Sequence, residues 1–160
     1  MPEEDFHIEQ TKDPVLITEC AQLMFHSDPW VTLKMEFTYC LNAFAGEHRE
    51  VFVLEAENKL AGFVIMQPQG TFKGYIQTIC VAESSRGKGI GTRLLQFCEN
   101  RILTYSPNLF ICVSSFNEGA IRLYESFGFK RVGELENFVK EGYSELLYRK
   151  TVGPIVGYKQ

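Results

Sequence analysis

The sequence predicts a mixed α/β fold, in which a sheet of about seven strands is flanked by about four helices. Apolar runs rich in β-branched residues alternate with segments whose apolar residues recur every three or four positions. Early strands follow one another directly, whereas later strands are separated by helices, so antiparallel pairing is expected first and parallel pairing afterwards. The 160 residues are 45% hydrophobic, which suits one domain over 1–160.

The first segments read as one strand and two helices. Phe6–Gln10 is the strand. Asp13-Pro14 combines a helix cap with proline at the first helical position, so a helix to Phe25 follows. Asp28-Pro29 repeats this signal, and a second helix should end at Gly46. Its apolar face comprises Leu33, Phe37, Leu41 and Phe44. Trp30 is expected to pack against the start of that helix, and the alternative is that it lines a substrate pocket.

A hairpin and a third strand come next. Val51–Ala56 and Leu60–Met66 are apolar runs separated by the short polar turn 57–59, which is typical of a β-hairpin. Tyr75–Val81 is another β-branched run.

The second half alternates helices and strands. A helix with apolar residues on one face ends near Leu103. Three strands follow, at Leu109–Val113, Phe129–Leu135 and Ser144–Tyr148, with a helix from Asn117 to Phe127 after the first of them. Gly128 should end that helix. The tail after Tyr148 remains unassigned.

Charge and composition exclude several classes of protein. A net charge of −4 and a pI near 5.4 argue against nucleic-acid and anionic-membrane partners. The acidic N-terminus lacks the apolar core of a secretory signal, and no apolar run approaches the ~20 residues of a membrane span. Five cysteines without C-x-x-C spacing suggest free thiols, and three separated histidines suggest no metal site. We therefore expect a cytoplasmic protein.

The most informative segment is the glycine-rich stretch from Arg86 to Thr92, which follows a strand and opens a helix. Glycine lets backbone N–H groups approach an anion, and the first amides of a helix have no intrahelical partner. The positive end of the helix dipole lies at the same place, so the segment favours a phosphate. Arg86, Lys88 and Arg93 add positive charge.

Three interpretations of this loop compete. A P-loop needs Lys-Ser or Lys-Thr after its glycines, and neither pair is present. A dinucleotide fingerprint beginning at Gly87 would need a third glycine where Thr92 stands. The third interpretation is a plain strand-to-helix turn.

A second motif lies downstream, as Asn117-x-x-Ala120-x-x-Leu123-Tyr124-x-x-x-Gly128-Phe129, while the loop reads R-x-x-G-x-G from Arg86. Together the two motifs resemble the GNAT superfamily of acyl-CoA N-acyltransferases. The motifs span about 51–129, and the order of elements extends the resemblance to almost the whole chain. The block Asn108–Lys130 looks most like enzymes that acetylate the N-terminal alanine of a ribosomal protein.

This resemblance implies acetyl-CoA as the acyl donor. The sheet would splay beside Ile79–Val81, whose edge would pair with the pantetheine arm. The N–H of Val81 would stabilise the oxyanion of the tetrahedral intermediate. Tyr124 would protonate the departing thiolate, since a thiol ionises near ~8.5 and a phenol near ~10. The residues implied to bind the donor are Ile79, Cys80, Val81, Arg86, Gly87, Lys88, Gly89, Ile90, Gly91, Thr92 and Asn117.

The sequence departs from the family at the general base. The alanine N-acetyltransferases have a glutamate where this chain has Cys112, and Gly74–Val81 contains no acidic residue. The base is therefore unassigned, with a water chain or one of several side chains as candidates. Those side chains are Glu36, His48, Glu83, Glu136 and Glu141. An α-amine, with a pKa of ~7.7–8.0 against ~10.4 for lysine, needs less help from a base and is favoured as acceptor.

The expected activity is acetyl transfer from acetyl-CoA to a primary amine, by direct attack in a ternary complex. The acceptor would be a protein N-terminus or a small molecule such as a polyamine, an aminoglycoside or an amino acid. Two alternatives are an acyl-CoA-binding module without turnover and a domain that binds another nucleotide. Segment 13–45 and the last hairpin should form the acceptor site. Many superfamily members pair, so a homodimer is a candidate.

Overall fold

The computed structural model describes residues 6–159, which form a seven-stranded sheet with helices on both faces. The strands are β1 (Phe6–Gln10), β2 (Glu50–Ala56), β3 (Lys59–Gln67), β4 (Tyr75–Val81), β5 (Asn108–Ser114), β6 (Lys130–Glu136) and β7 (Ser144–Thr151). The helices are α1 (Pro14–Phe25), α2 (Phe37–Asn42), α3 (Ile90–Ile102) and α4 (Glu118–Phe127). Between residues 6 and 159, no helix is long and apolar enough to cross a membrane.

The strands lie in the order β1-β2-β3-β4-β5-β7-β6. Only β4 and β5 run parallel among these neighbours, because α3 carries the chain back between them. The other pairs are antiparallel. The predicted mixed sheet, with seven strands and four helices, is therefore confirmed.

Two apolar cores cover the two faces of the sheet. One core packs α3 and α4 against side chains that include Val64 and Met66. The other packs α1 and α2 against Phe63 and Ile65. These four β3 residues alternate between the cores, as expected for a strand buried on both faces.

The predicted caps of α1 and α4 are confirmed, whereas Asp28-Pro29 and Gly46 do not bound a helix. Asp13 accepts a hydrogen bond from the N–H of Val15 at 3.0 Å, with Pro14 in the first turn of α1. Asn117 accepts from the N–H of Ala120 at 3.3 Å and so caps α4. Gly128 ends α4 with φ of 111°, which glycine adopts without strain.

The hairpin between β2 and β3 is also confirmed. Its two central residues, Glu57 and Asn58, have φ of 52° and 61°. Two consecutive positive φ values match the right-handed twist of the strands that they join.

The second helix was predicted too long. Residues 29–34 form turns, Glu36 is extended, and α2 extends only from Phe37 to Asn42. Lys34 has φ of 53°, which cannot continue a right-handed helix. Leu33 and Phe44 are both buried, but they reach the core from separate segments. The apolar spacing that suggested one helix therefore spans a loop and a short helix.

Gly74 marks the point where β4 meets β5, and we predict that Gly74→Ala destabilises the protein. A Cβ at this position would lie 2.3 Å from the carbonyl oxygen of Asn108, and φ is 86°. Strain and overlap together should lower the free energy of unfolding by at least about 2 kcal/mol, measured by urea denaturation. Gly70→Ala is the matched control, because φ is 98° but nothing lies within 4 Å. Equal losses in the two variants would contradict the role of the Asn108 contact.

Candidate active site

The geometry of the site begins with a β-bulge in β4. Thr78 pairs with Ile65 and Ile76 pairs with Met66, so Gln77 is an extra residue on this strand. The bulge reverses the alternation of side chains. Ile76 belongs to the core beneath α3, whereas Cys80, four positions later, belongs to the core beneath α1. In a regular strand both would lie on the same face.

The bulge also reverses the edge of the strand toward which each later backbone N–H points. The N–H of Ala82 donates to the carbonyl of Ala61 at 2.7 Å, toward β3. Because successive N–H groups of a strand point to opposite edges, the N–H of Val81 points toward β5. Yet β5 is paired with β4 only at Tyr75 and Ile76. Beyond Ile76 the two strands separate, so 79–81 present an unpaired edge to a gap.

The glycine loop follows this edge. After a single 3-10 turn over Glu83–Ser85, Gly87 and Gly89 have φ of 75° and 79°. A Cβ on either residue would meet nothing within 4 Å, so these glycines serve the backbone conformation and face open space. Glycine is needed at position 91 for a different reason, because an added Cβ would lie 2.9 Å from the side chain of Leu123 in α4. The Nε of Arg86 donates to the Val81 carbonyl at 3.3 Å and ties the loop to the strand.

A cavity of about 690 Å³, the loop cavity, lies between the loop, the end of β4 and the start of α4. Every donor-binding residue predicted from sequence lines it except Lys88. The first amides of α3 lie at this cavity and lack intrahelical acceptors, which is the arrangement that binds phosphate. Sequence reasoning missed further lining residues, namely Asp28, Ser85, Gly119, Arg122 and Leu123.

A second cavity of about 530 Å³, the bulge cavity, lies on the opposite side of the gap. It is lined by segment 24–49, by Gln77 and Thr78 of the bulge, by β5 and by the β6–β7 loop. Trp30 packs against the core and also lines this cavity, so the two roles considered for it from sequence do not exclude each other. The two cavities share Asp28, Ile79, Asn117, Ala120 and Tyr124. They therefore meet at the gap between β4 and β5.

Tyr124 lies where the two cavities meet and is only 5% exposed. Burial raises the pKa of its phenol, and nearby Cys80, Cys98 and Glu145 raise it further. The hydroxyl is consequently protonated at neutral pH and able to donate a proton. The side chain of Asn117 accepts from the backbone at the same junction, so its role as a helix cap coexists with its place in the cavity wall.

Glu145 is the acidic residue that sequence reasoning missed. It lies on β7 opposite Ser114 of β5 and is 6% exposed. Burial raises the pKa of its carboxyl, while the Ser114 hydroxyl, donating at 2.7 Å, lowers it. Burial chiefly, and this carboxylate in addition, raise the pKa of Tyr39, Tyr75 and Tyr124. Glu145 therefore faces the bulge cavity beside Tyr124.

None of the five side chains considered as bases from sequence lines either cavity. Glu145 was overlooked because it lies within a strand and because its partner Ser114 lies 31 residues away in the sequence. The available signal was a lone carboxylate between Ser144 and Leu146 in that strand. Cys112 lines the bulge cavity, and burial raises the pKa of its thiol, so it stays neutral and is a poor base or nucleophile.

Two relatives illustrate the similarity in sequence. An uncharacterized protein of Mycobacterium leprae is 30% identical over 131 residues, which are 77% of this chain and 34% of that protein. The N-alpha-acetyltransferase RimI of Mycobacterium tuberculosis is 29% identical over 118 residues, 71% of this chain and 69% of that protein. The chain thus spans about a third of the length of the first relative.

Two solved structures illustrate the similarity in fold. The ribosomal-protein-S18-alanine N-acetyltransferase of Escherichia coli gives a TM-score of 0.72 at 20% identity, covering 97% of this chain and 99% of that one. An aminoglycoside 6'-N-acetyltransferase complexed with coenzyme A gives 0.71 at 19% identity, covering 92% and 98%. At these identities the likeness concerns the fold.

The family itself is decided by the model of the acetyltransferase (GNAT) family, which matches residues 16–129. That stretch runs from α1 through the bulge and the glycine loop to the end of α4. The chain therefore belongs to the GNAT family of acetyltransferases.

Proposed function

We propose that the protein transfers an acetyl group from acetyl-CoA to a primary amine, by direct attack in a ternary complex. One observation carries this proposal. A cavity suited to a phosphate-bearing donor meets a second cavity containing a buried carboxylate, and Tyr124 lies at their junction. Two substrates could thus approach each other from opposite sides of the gap between β4 and β5.

The loop cavity fits the donor. Its open space above Gly87 and Gly89 admits a pyrophosphate against the first amides of α3, and Arg86 and Arg122 supply positive charge. The free edge at 79–81 can pair with the amides of the pantetheine arm as an added strand would. The solved relative complexed with coenzyme A supports this assignment.

The chain's own groups supply the remaining chemistry. The N–H of Val81 points into the gap and is placed to stabilise negative charge on the thioester oxygen. Glu145 accepts the proton that the attacking amine must lose. As the new C–N bond forms and the C–S bond breaks, Tyr124 donates its proton to the departing sulfur. Solvent then returns a proton to Tyr124 and removes one from Glu145.

Glu145 changes the argument about the acceptor. An α-amine was favoured because the sequence showed no base that could deprotonate a lysine. With a carboxylate in the bulge cavity, this reason to favour an α-amine no longer applies. The presence of both Tyr124 and Glu145 in the wall of the bulge cavity also favours an enzyme over a module that only binds acyl-CoA.

We predict that Tyr124→Phe lowers kcat by about 10²- to 10⁴-fold, because the leaving thiolate loses its proton donor. The affinity for acetyl-CoA, measured by calorimetry, should stay the same. Tyr148→Phe is the control, since this buried tyrosine donates to Glu125 at 2.9 Å and lines neither cavity. A Tyr124→Phe variant with the wild-type rate would exclude the proposed acid.

We predict that activity falls as the pH is lowered, because the Glu145 carboxyl becomes protonated. This loss should occur at a higher pH than the ordinary pKa of glutamate would give. The raised pKa has this sign because burial disfavours the ionised form. Of the other groups around the cavity, Tyr39, Tyr75, Tyr124 and Cys112 are neutral here, and the charged ones are Asp28 and Arg49.

The measurement is kcat/KM against pH with two acceptors whose amines differ in pKa. If protonation of Glu145 causes the acidic limb of the profile, that limb lies at the same pH with both acceptors. Glu145→Gln should abolish that limb and lower the rate at least about 10²-fold. Its thermal stability should be little changed, since glutamine has the same shape and its side-chain oxygen can still accept the hydrogen bond from Ser114. Glu136→Gln, outside both cavities, is the control. Retention of the shared acidic limb in Glu145→Gln would rule out this base.

We predict that Gly89→Asp loses binding of acetyl-CoA. The substitution strains a backbone with φ of 79° and puts a carboxylate where the donor phosphates should bind. Calorimetric titration measures the loss. Gly70→Asp is the matched control, because it adds the same charge at φ of 98° in open space away from both cavities. Equal affinity in the two variants would argue against the loop as the donor site.

A further inference from the structure

We propose that Gln77 is a positioning residue, whose side chain fixes α2, one wall of the bulge cavity, to the strand that carries the free edge at 79–81. This inference rests on the proposed function, because it concerns how the acceptor side of the gap is held against the donor side. It gives the side chain of the extra residue in β4 a role of its own, beside the role of the bulge in directing the backbone.

The bulge brings the side chain of Gln77 to the bulge cavity. In a regular strand, Gln77 and Thr78 would lie on opposite faces of the sheet. Here both line the bulge cavity, whereas Ile76 belongs to the core beneath α3. Gln77 is half-buried, and a polar group that is taken out of water in this way requires hydrogen-bond partners within the protein.

The carboxamide of Gln77 joins three segments of the chain. Its Nε2 donates to the carbonyl of Ala43 at 2.9 Å, and its Oε1 accepts from Nε2 of Gln67 at 2.7 Å. A backbone carbonyl can only accept, so the nitrogen of Gln77 faces Ala43 and its oxygen is left for the amide of Gln67. Ala43 therefore fixes the orientation of both carboxamides. The resulting relay runs from the end of β3 through the bulge to the end of α2.

The short helix α2 depends on such attachments. It has 6 residues, and its N-cap, Glu36, makes no side-chain capping hydrogen bond. A helix of this length is not stable by itself. At the other end, the carbonyls of Asn42 and Ala43 accept from Arg49 at 3.2 and 3.1 Å. The carbonyl of Ala43 accepts from Gln77 as well. Arg49 thus ties the end of α2 to the segment that leads into β2, and Gln77 ties it to β4.

The position of α2 matters because this helix contributes side chains to the bulge cavity. Tyr39 and Asn42 line that cavity together with Ala43. The free edge of β4 begins at Ile79, shortly after Gln77. An acceptor that binds against α2 would therefore meet a wall fixed to the strand along which the donor is proposed to bind. A wall already in place reduces the entropy lost when the acceptor binds.

Apolar contacts hold α2 on the sheet independently of Gln77. The ring centroids of Phe44 and Phe63 lie 5.2 Å apart, and Cys40 is buried in the same core. Gln77→Met keeps the length of the side chain and removes both of its hydrogen bonds. This variant should therefore fold, with α2 in place but less firmly held.

The first measurement is hydrogen exchange of the backbone amides, followed by mass spectrometry on the protein without substrates. Gln77→Met should speed exchange at 40–45 about 3- to 10-fold, as expected for the loss of one hydrogen bond that stabilises this helix end. Exchange at 51–65, in β2 and β3, should stay the same. Gln96→Met is the control, since Gln96 is exposed, donates to Asn100 at 3.0 Å and lines neither cavity. Unchanged exchange at 40–45 in Gln77→Met would overturn the tie between Gln77 and α2.

The second measurement separates KM from kcat. The acceptor is whichever of four amines the wild type acetylates best, namely the tetrapeptide amide Phe-Ala-Ala-Ala, lysine, spermidine and kanamycin. Gln77→Met should raise the KM of this acceptor about tenfold, because only binding against α2 is weakened. The value of kcat and the calorimetric affinity for acetyl-CoA should stay the same. A purely structural role would instead lower kcat with KM unchanged, since it reduces the fraction of folded enzyme, and that result would contradict the inference.

The two measurements separate failure of the inference from failure of the proposed function. Faster exchange at 40–45 without a change in KM would rule out the positioning role and leave acetyl transfer standing. CoA release by the wild type with none of the four amines would overturn the proposed function and, with it, the effect on KM. Exchange is independent of turnover and would still decide whether Gln77 holds α2.

A second variant tests the order of the relay. Gln67→Met removes the partner that orients the carboxamide of Gln77 but leaves the bond to Ala43 possible. Exchange at 40–45 and the KM of the acceptor should therefore rise by smaller factors than in Gln77→Met. Larger factors in Gln67→Met would show that the attachment of α2 does not pass through Gln77.

Discussion

The extra residue at Gln77 in β4 is the constraint on which the rest of the site depends. It adds one residue to β4 opposite β3, so each later side chain of β4 lies on the other face of the sheet. Each later N–H likewise points to the other edge of the strand. Val81 consequently turns its N–H away from β3, while β5 has already separated from β4 after Ile76. Without the bulge, the N–H of Val81 would point toward β3, and N–H groups of its neighbours would face the gap instead. The bulge thus decides which donor points into the gap between the two parallel strands.

The glycine loop completes this cleft because it continues directly from the same strand. Gly87 and Gly89 allow the turn, and the start of α3 places unpaired amides at the wall of the loop cavity. Gly91 has a separate task, allowing α3 to approach Leu123 of α4 closely. That contact brings α4 near the loop, and Asn117 and Tyr124 with it. Phosphate recognition and the position of the proposed acid are therefore linked through the packing of two helices.

The acceptor side is assembled from segments far apart in the chain. Glu145 enters from β7, its partner Ser114 from β5, and the apolar wall from the turns after α1 and the β6–β7 loop. Burial raises the pKa of both Tyr124 and Glu145 above the ordinary values of these groups. A protonated phenol and a carboxylate of raised pKa are suited to the two proton transfers of the proposed reaction.

The sequence by itself determined the order of elements, the caps at Asp13, Asn117 and Gly128, and a set of predicted donor-binding residues that, except for Lys88, line one cavity. These features are local, because caps, turns and a strand–loop–helix phosphate motif each depend on residues within a few positions of one another. The second helix failed as a prediction because Lys34 interrupts it, although the apolar spacing continues across the break. Only the tertiary structure decided that Glu145, rather than any of the acidic residues considered from sequence, lines the bulge cavity. That position depends on the pairing of β7 with β5, a contact between distant segments that no local pattern encodes.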